Sequence, residues 1–232
     1  MNMIITVQGS ATQYHQPERA NLNLQVRLDG PSKTAVLDQV AVSANQIQEL
    51  IAPLAHPGAG RTPAITWFSA DQIRVDAQRP WNNEGAQLRL VYTAVVEFKV
   101  RFADFAALNT FYLEAATVSG VVIDGVTWEL TEPARLAATQ LVQGLAVHNA
   151  QTKALTYARA LQDQAVRCIA LADPGMLGNA ESGPGYPVAF ADAGMRSAKM
   201  GGSPELVLKP QDIEINCRVD AKFETVAPPR QA

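Results

Sequence analysis

Ala20, Leu22, Leu24, Val26 and Leu28 alternate along the chain with Asn21, Asn23, Gln25, Arg27 and Asp29. A period of two sends successive side chains to opposite faces of a strand, so this run predicts a sheet with one apolar and one polar face. The same pattern runs through Leu88, Leu90, Tyr92, Ala94, Val96, Phe98, Val100 and Phe102, set against Arg89, Thr93, Glu97, Lys99 and Arg101. It returns near the C-terminus at Ile213, Ile215, Cys217, Val219, Ala221 and Phe223. Shorter or weaker strands are expected at about residues 3–9, 64–77, 121–130 and 166–172.

Between these runs the apolar spacing changes to three and four residues, the repeat of a helix with one buried face. Leu37, Val40, Ala41, Ala44, Ile47, Ile51 and Leu54 mark a first helix that begins after Gly30-Pro31 and stops near Pro53. Phe105, Leu108, Phe111, Tyr112 and Ala115 mark a second, over about 104–116. A third opens at Thr131-Glu132-Pro133, with Thr131 a candidate N-cap and Pro133 tolerated in the first turn. It runs to about Leu161, with Ala138, Leu141, Val142, Leu145, Ala146, Ala150, Ala154 and Ala158 as its buried stripe.

The resulting order is β-β-α-β-β-α-β-α-β-loop-β. Alternation on one face only implies mixed or mainly antiparallel sheets with helices packed on one side, which is an α+β fold rather than a doubly wound parallel one. The stretch 174–209 breaks the pattern: it is rich in glycine, contains Pro174, Pro184, Pro187 and Pro204, and is read as one long loop. A tail from Ala227, containing Pro228-Pro229, is expected to fray.

Composition narrows the function classes. Hydrophobic residues at 47% and charged residues at 18% give an ordinary globular balance. The formal net charge is −3 with both signs interspersed, so no basic stripe favours nucleic acid. No apolar run is long enough for a membrane span, and the N-terminal Met1-Asn2-Met3-Ile4-Ile5 lacks the basic start and long apolar stretch of an export signal. A cytoplasmic location is the corresponding expectation. Cys168 and Cys217 both fall in predicted strands and are read as reduced core thiols, the alternative being a disulfide between neighbouring strands.

Candidate chemistry is sparse. His15, His56 and His148 have no metal-ligand spacing, and no cofactor is expected. There is no Gly-x-Ser-x-Gly; Ser119-Gly120 and Ser182-Gly183 read as turns. Gly183-Pro184-Gly185 and Gly201-Gly202 lack the lysine and the following helix of a phosphate cradle. The most site-like stretch is 64–85, where Trp67, Phe68, Arg79 and Trp81 lie among Asp71, Asp76 and Glu84. It reads either as a strand end followed by a solvated hairpin loop, or as a recognition surface, since Trp and Arg are enriched at binding hot spots.

Several segments together resemble the SIMPL-domain family. They are Ile5-Thr6-Val7-Gln8-Gly9 with the strand that follows, and the strand–helix–strand segment 88–130 with its Gly125-Val126. The others are the helix carrying Ala150, Lys153-Ala154 and Ala158-Arg159-Ala160-Leu161, and the closing Lys209-Pro210-Gln211-Asp212-Ile213-Glu214-Ile215. The resemblance spans nearly the whole chain through a diffuse pattern of apolar positions. It implies two interleaved α+β subdomains within residues 1–226, here placed at 1–85 with the strand 210–224, and at 86–173. It also implies a bacterial protein with no established enzymatic activity, and in some relatives a ring-like homo-oligomer. Relatives are often exported, whereas this sequence shows no export signal, and it has Gln162-Asp163 where relatives tend to place a glycine after the helix. The function expected is a non-enzymatic, self-associating scaffold or interaction protein. The alternative is a small-ligand-binding protein or a hydrolase with the 174–205 loop as a lid.

Overall fold

The alternating runs become strands and the helical runs become helices. In chain order they are β1 (Ile4–His15), β2 (Arg19–Gly30), α1 (Lys33–Ala55), β3 (Ile65–Ala70), β4 (Arg74–Gln78) and β5 (Val91–Phe102). There follow α2 (Phe105–Ala115), β6 (Val121–Glu129), α3 (Glu132–Ala160), β7 (Ala165–Ala172) and β8 (Ile213–Val226). The computed structural model describes residues 3–81, 88–163, 165–177 and 208–226. The fold is α+β, with two antiparallel sheets. The chain divides into two compact units, one of residues 16–131 with 207–213, the other of 1–15, 132–206 and 214–232. The boundary expected near residue 85 is crossed by the ladder between β2 and β5, so both strands belong to one unit.

In the 16–131 unit the strand order is β3-β5-β2-β6, with β4 also paired to β5. Register explains why the alternation was so clean. Leu22 faces Val100, Leu24 faces Phe98 and Val26 faces Val96, so apolar side chains meet apolar side chains across the ladder. All six are essentially removed from solvent. Helix α1 covers this face with Val36, Val40, Ile47 and Ile51, and α2 adds Leu108 and Phe111. The Phe111 ring sits 5.4 Å from that of Phe102. Asp104 caps α2, its Oδ1 accepting from the N–H groups of Ala106 and Ala107 at 2.8 and 3.2 Å. Ser32 caps α1 by accepting from Ala35 N–H.

Three expectations shift here. The strand expected over 64–77 is divided into β3 and β4, both lying along the same edge of β5, with the Asp71 N–H donating to the Glu97 carbonyl between them. Leu88 and Leu90 precede β5 and are partly exposed. Pro53 lies inside α1, which continues to Ala55, because a proline so near the end costs only one helical hydrogen bond. Strand β6 carries a bulge at Asp124–Gly125: Trp128 and Val126 pair with Ala20 and Leu22, while Ile123, three residues before Val126, pairs with Leu24. Gly125, at φ 149°, supplies the conformation that the bulge requires.

The other unit holds the sheet β1-β8-β7 and α3. Met3 meets Thr225, Gln8 meets Asp220 and Tyr14 meets Glu214, so β1 and β8 run antiparallel. Helix α3 buries Ala138, Val142, Ala146, Ala150, Ala154 and Ala158, in steps of four, while Leu141 and Leu145 are exposed. Each step of four advances roughly 40° beyond a full turn, so the buried line winds slowly round the helix. Ala146 to Ala158 pack against Ile5 and Val7 of β1 and Val219, Ala221 and Phe223 of β8.

The small side chains permit a close approach of strand and helix. A Cβ built at Gly9 would lie 2.1 Å from the Ala146 carbonyl oxygen and 2.7 Å from Ala150 Cβ. On either side of Gly9, α3 reaches the backbone of β1. Lys153 Nζ donates to the Gln8 carbonyl at 2.9 Å, and Asn149 Oδ1 accepts from the Ser10 N–H at 3.1 Å. The edge of β1 is thereby partly occupied by helix side chains.

Helix α3 ends in a Schellman turn. The Asp163 N–H donates to the Ala158 carbonyl and the Gln162 N–H to that of Arg159, with Gln162 at φ 69°. The geometry is that of a glycine-terminated helix, carried out by a glutamine. At the start of the helix, the Thr131 hydroxyl and N–H both donate to the Glu18 carboxylate, a contact within the 16–131 unit.

Candidate functional site

The aromatic and charged residues of 64–81 do not share one surface. Trp67 pairs with Arg101 and Phe68 with Val100, so the two rings project from opposite faces of the sheet. Phe68 is on the same side as the core and is partly exposed; Trp67 is on the face opposite α1 and α2 and half exposed. Arg79 and Trp81 follow the end of β4, and Trp81 is 85% exposed. Asn82 to Gly85, with Glu84, lie outside the described residues.

The arginine that meets Trp67 is Arg101, which sequence reasoning did not single out. Its guanidinium carbon lies 5.6 Å from the Trp67 ring centroid, within cation–π range. Arg101 Nε donates to Asn21 Oδ1 at 2.9 Å, and its terminal nitrogen lies 3.8 Å from Glu129. These four residues come from β3, β5, β2 and β6, so the contacts cross the full width of the sheet. Gln25 adds a bond to Asp124 at 3.0 Å, and Arg74 pairs with Glu97. Arg101 was visible only as one polar position in an alternating strand. Nothing in the sequence places it beside a tryptophan 34 residues earlier.

The remaining candidates are scattered. His15 ends β1, with its Nε2 buried and, among the described residues, without a hydrogen-bond partner. His56 caps α1, and His148 is exposed on α3. Among the described residues no three of His, Cys, Asp and Glu are grouped to hold a metal ion. Both cysteines are free, but Cys168 is exposed rather than in the core, because β7 is an edge strand whose register shifts between Cys168 and Ala170. Cys217 is half-buried; burial, and then the charge of Asp173, push its thiol pKa up. Two bonds from Thr131, the hydroxyl first, hold the Glu18 carboxyl below the usual carboxylate range. Gly120 makes the turn read at Ser119-Gly120, at φ 77°. Ser182-Gly183, the other glycine-rich motifs and most of the 174–205 segment lie outside the described residues. No described helix is long and apolar enough to cross a membrane.

These features define an α+β protein built on two antiparallel sheets, with a polar, arginine-stacked sheet face and an apolar edge strand. The chain belongs to the SIMPL family, described as a protein of unknown function (DUF541), whose model matches residues 5–223. That span covers nearly all of the first strand and all but the last residues of the final one. No curated protein matches the chain.

Proposed function

We propose that this chain is a non-enzymatic interaction protein that self-associates through its sheet edges. The observation that carries the reading is strand β7. It pairs with β8 on one side and, among the described residues, with no strand on the other. Its Ile169 and Leu171 are about half exposed, and a free edge with apolar side chains is a template for a further strand. The opposite edge, β1, has backbone groups engaged by Asn149 and Lys153, which makes β7 the more open of the two.

The test is absolute molar mass by light scattering over a roughly hundredfold range of protein concentration. A multimer is expected, reduced to monomer by Ile169→Lys with Leu171→Lys, since charges on an edge block strand addition. A wild-type chain that stays monomeric throughout refutes the reading.

A further inference from the structure

Helices α1 and α2 pack side by side in the 16–131 unit, and between them runs an open groove of about 310 Å³. Its apolar lining comes from Leu50, Leu54, Ala107 and Phe111. Its polar groups share one property: they accept hydrogen bonds. Glu49 stands on the α1 side and Glu114 on the α2 side, and among the described residues neither forms an ion pair and no basic side chain lines the groove. The Thr110 hydroxyl donates to the Ala106 carbonyl, which leaves its oxygen lone pairs for a ligand.

Pro53 also lines the groove, and its ring adds to the apolar surface contributed by α1. The lining residues of α1 come from its last two turns and those of α2 reach its last turn, where the helix dipole is negative. Neither last turn carries a basic residue to offset that potential.

From this geometry we infer that the α1–α2 groove binds a small organic ammonium, a primary amine on an apolar body. The ammonium has three N–H donors and no acceptor, matching the two carboxylates and the Thr110 hydroxyl oxygen. The apolar body is accommodated by Leu50, Leu54 and Phe111, and the volume is at the lower end for small-molecule sites. An anion would meet two carboxylates and a negative helix end.

The experiment uses the full-length protein, phenethylamine as the probe and phenethyl alcohol as its uncharged counterpart, followed by methyl NMR of Leu50 and Leu54. Millimolar phenethylamine is expected to shift both leucines, and the alcohol to bind about tenfold more weakly or not at all. Glu49→Gln with Glu114→Gln, both exposed positions that leave the fold intact, should weaken amine binding about tenfold or more. A thermal melt unchanged from wild type certifies the fold of that variant. The inference is overturned if the amine leaves the leucines unshifted, if the alcohol binds equally well, or if the double variant binds amine as tightly as wild type.

Discussion

Replacing Gly9 by alanine tests the close approach of β1 to α3. The added methyl carbon would sit 2.1 Å from the Ala146 carbonyl oxygen, 2.7 Å from Ala150 Cβ and 2.8 Å from Ala150 N. Ordinary contact begins at 3.4 Å, so β1 and α3 must separate by more than an ångström at this point. No rotamer change can relieve the clash, because two of the three atoms are backbone. Overpacking of this kind costs about 1–3 kcal/mol, and the rigid obstacle places Gly9→Ala near the upper end. Lower entropy of the unfolded alanine chain offsets about 0.4–1 kcal/mol. A net loss of about 2 kcal/mol corresponds to a fall in Tm of about 4–8 °C for a chain of this size. Calorimetry, with urea midpoints as a cross-check, measures it. Adding Ala150→Gly should not restore stability, since the carbonyl of Ala146 remains in place. A Gly9→Ala protein as stable as wild type would refute the argument, and with it the close approach of strand to helix.

Gln162→Gly should stabilise the protein by about 0.5–1 kcal/mol, since glycine takes the left-handed conformation at the end of α3 without steric cost; an unchanged or lowered urea midpoint would count against it. Glu18→Gln should lower Tm at neutral pH but not in strong acid. The folded Glu18 pKa lies below its unfolded value, so its contribution is present above the ordinary carboxylate range and is lost as pH falls through the lowered folded value. A Tm difference that persists at all pH values would show that the Thr131 contacts are not responsible. Arg101→Met keeps the aliphatic stem but removes the cation over Trp67 and the bond to Asn21, and should cost about 1 kcal/mol by urea denaturation. With iodoacetamide and mass spectrometry, Cys168 should be alkylated before Cys217, whose thiol is half-buried and less ionised; the reverse order would contradict the placement of β7.

The parts of the fold legible in the sequence were those where a regular period survives intact. Strands β2 and β5 pair in unbroken register, so their alternation read directly. Strands β3, β6 and β7 read as short or weak because each contains a register shift, and one extra residue moves every later side chain to the other face. In α3 the alanines and Val142 of the expected stripe are buried, in steps of four, and the small side chains admit β1 at Gly9; Leu141 and Leu145, included in that stripe, are exposed. The site fared less well for a related reason. Trp67 and Phe68 are neighbours in sequence and opposite in space, whereas Trp67 and Arg101 are distant in sequence and stacked. Likewise, nothing in the chain brings residues 49–54 to residues 107–114 until two helices pack together.

The pairing of β1 with β8 has a consequence for how the protein is made. A ribosome delivers Ile4 first and Val226 more than two hundred residues later, yet the two strands share one ladder. Every strand of the 16–131 sheet has emerged long before β8 exists. During that interval β1 is a strand without its neighbour, and Ile5 and Val7 have only α3 to shelter against once it appears. Premature termination between residues 131 and 213 therefore leaves one sheet complete and the other without its central strand. Such truncated chains would keep a folded half while exposing unpaired strand edges, the kind of surface that quality-control chaperones hold and proteases clear.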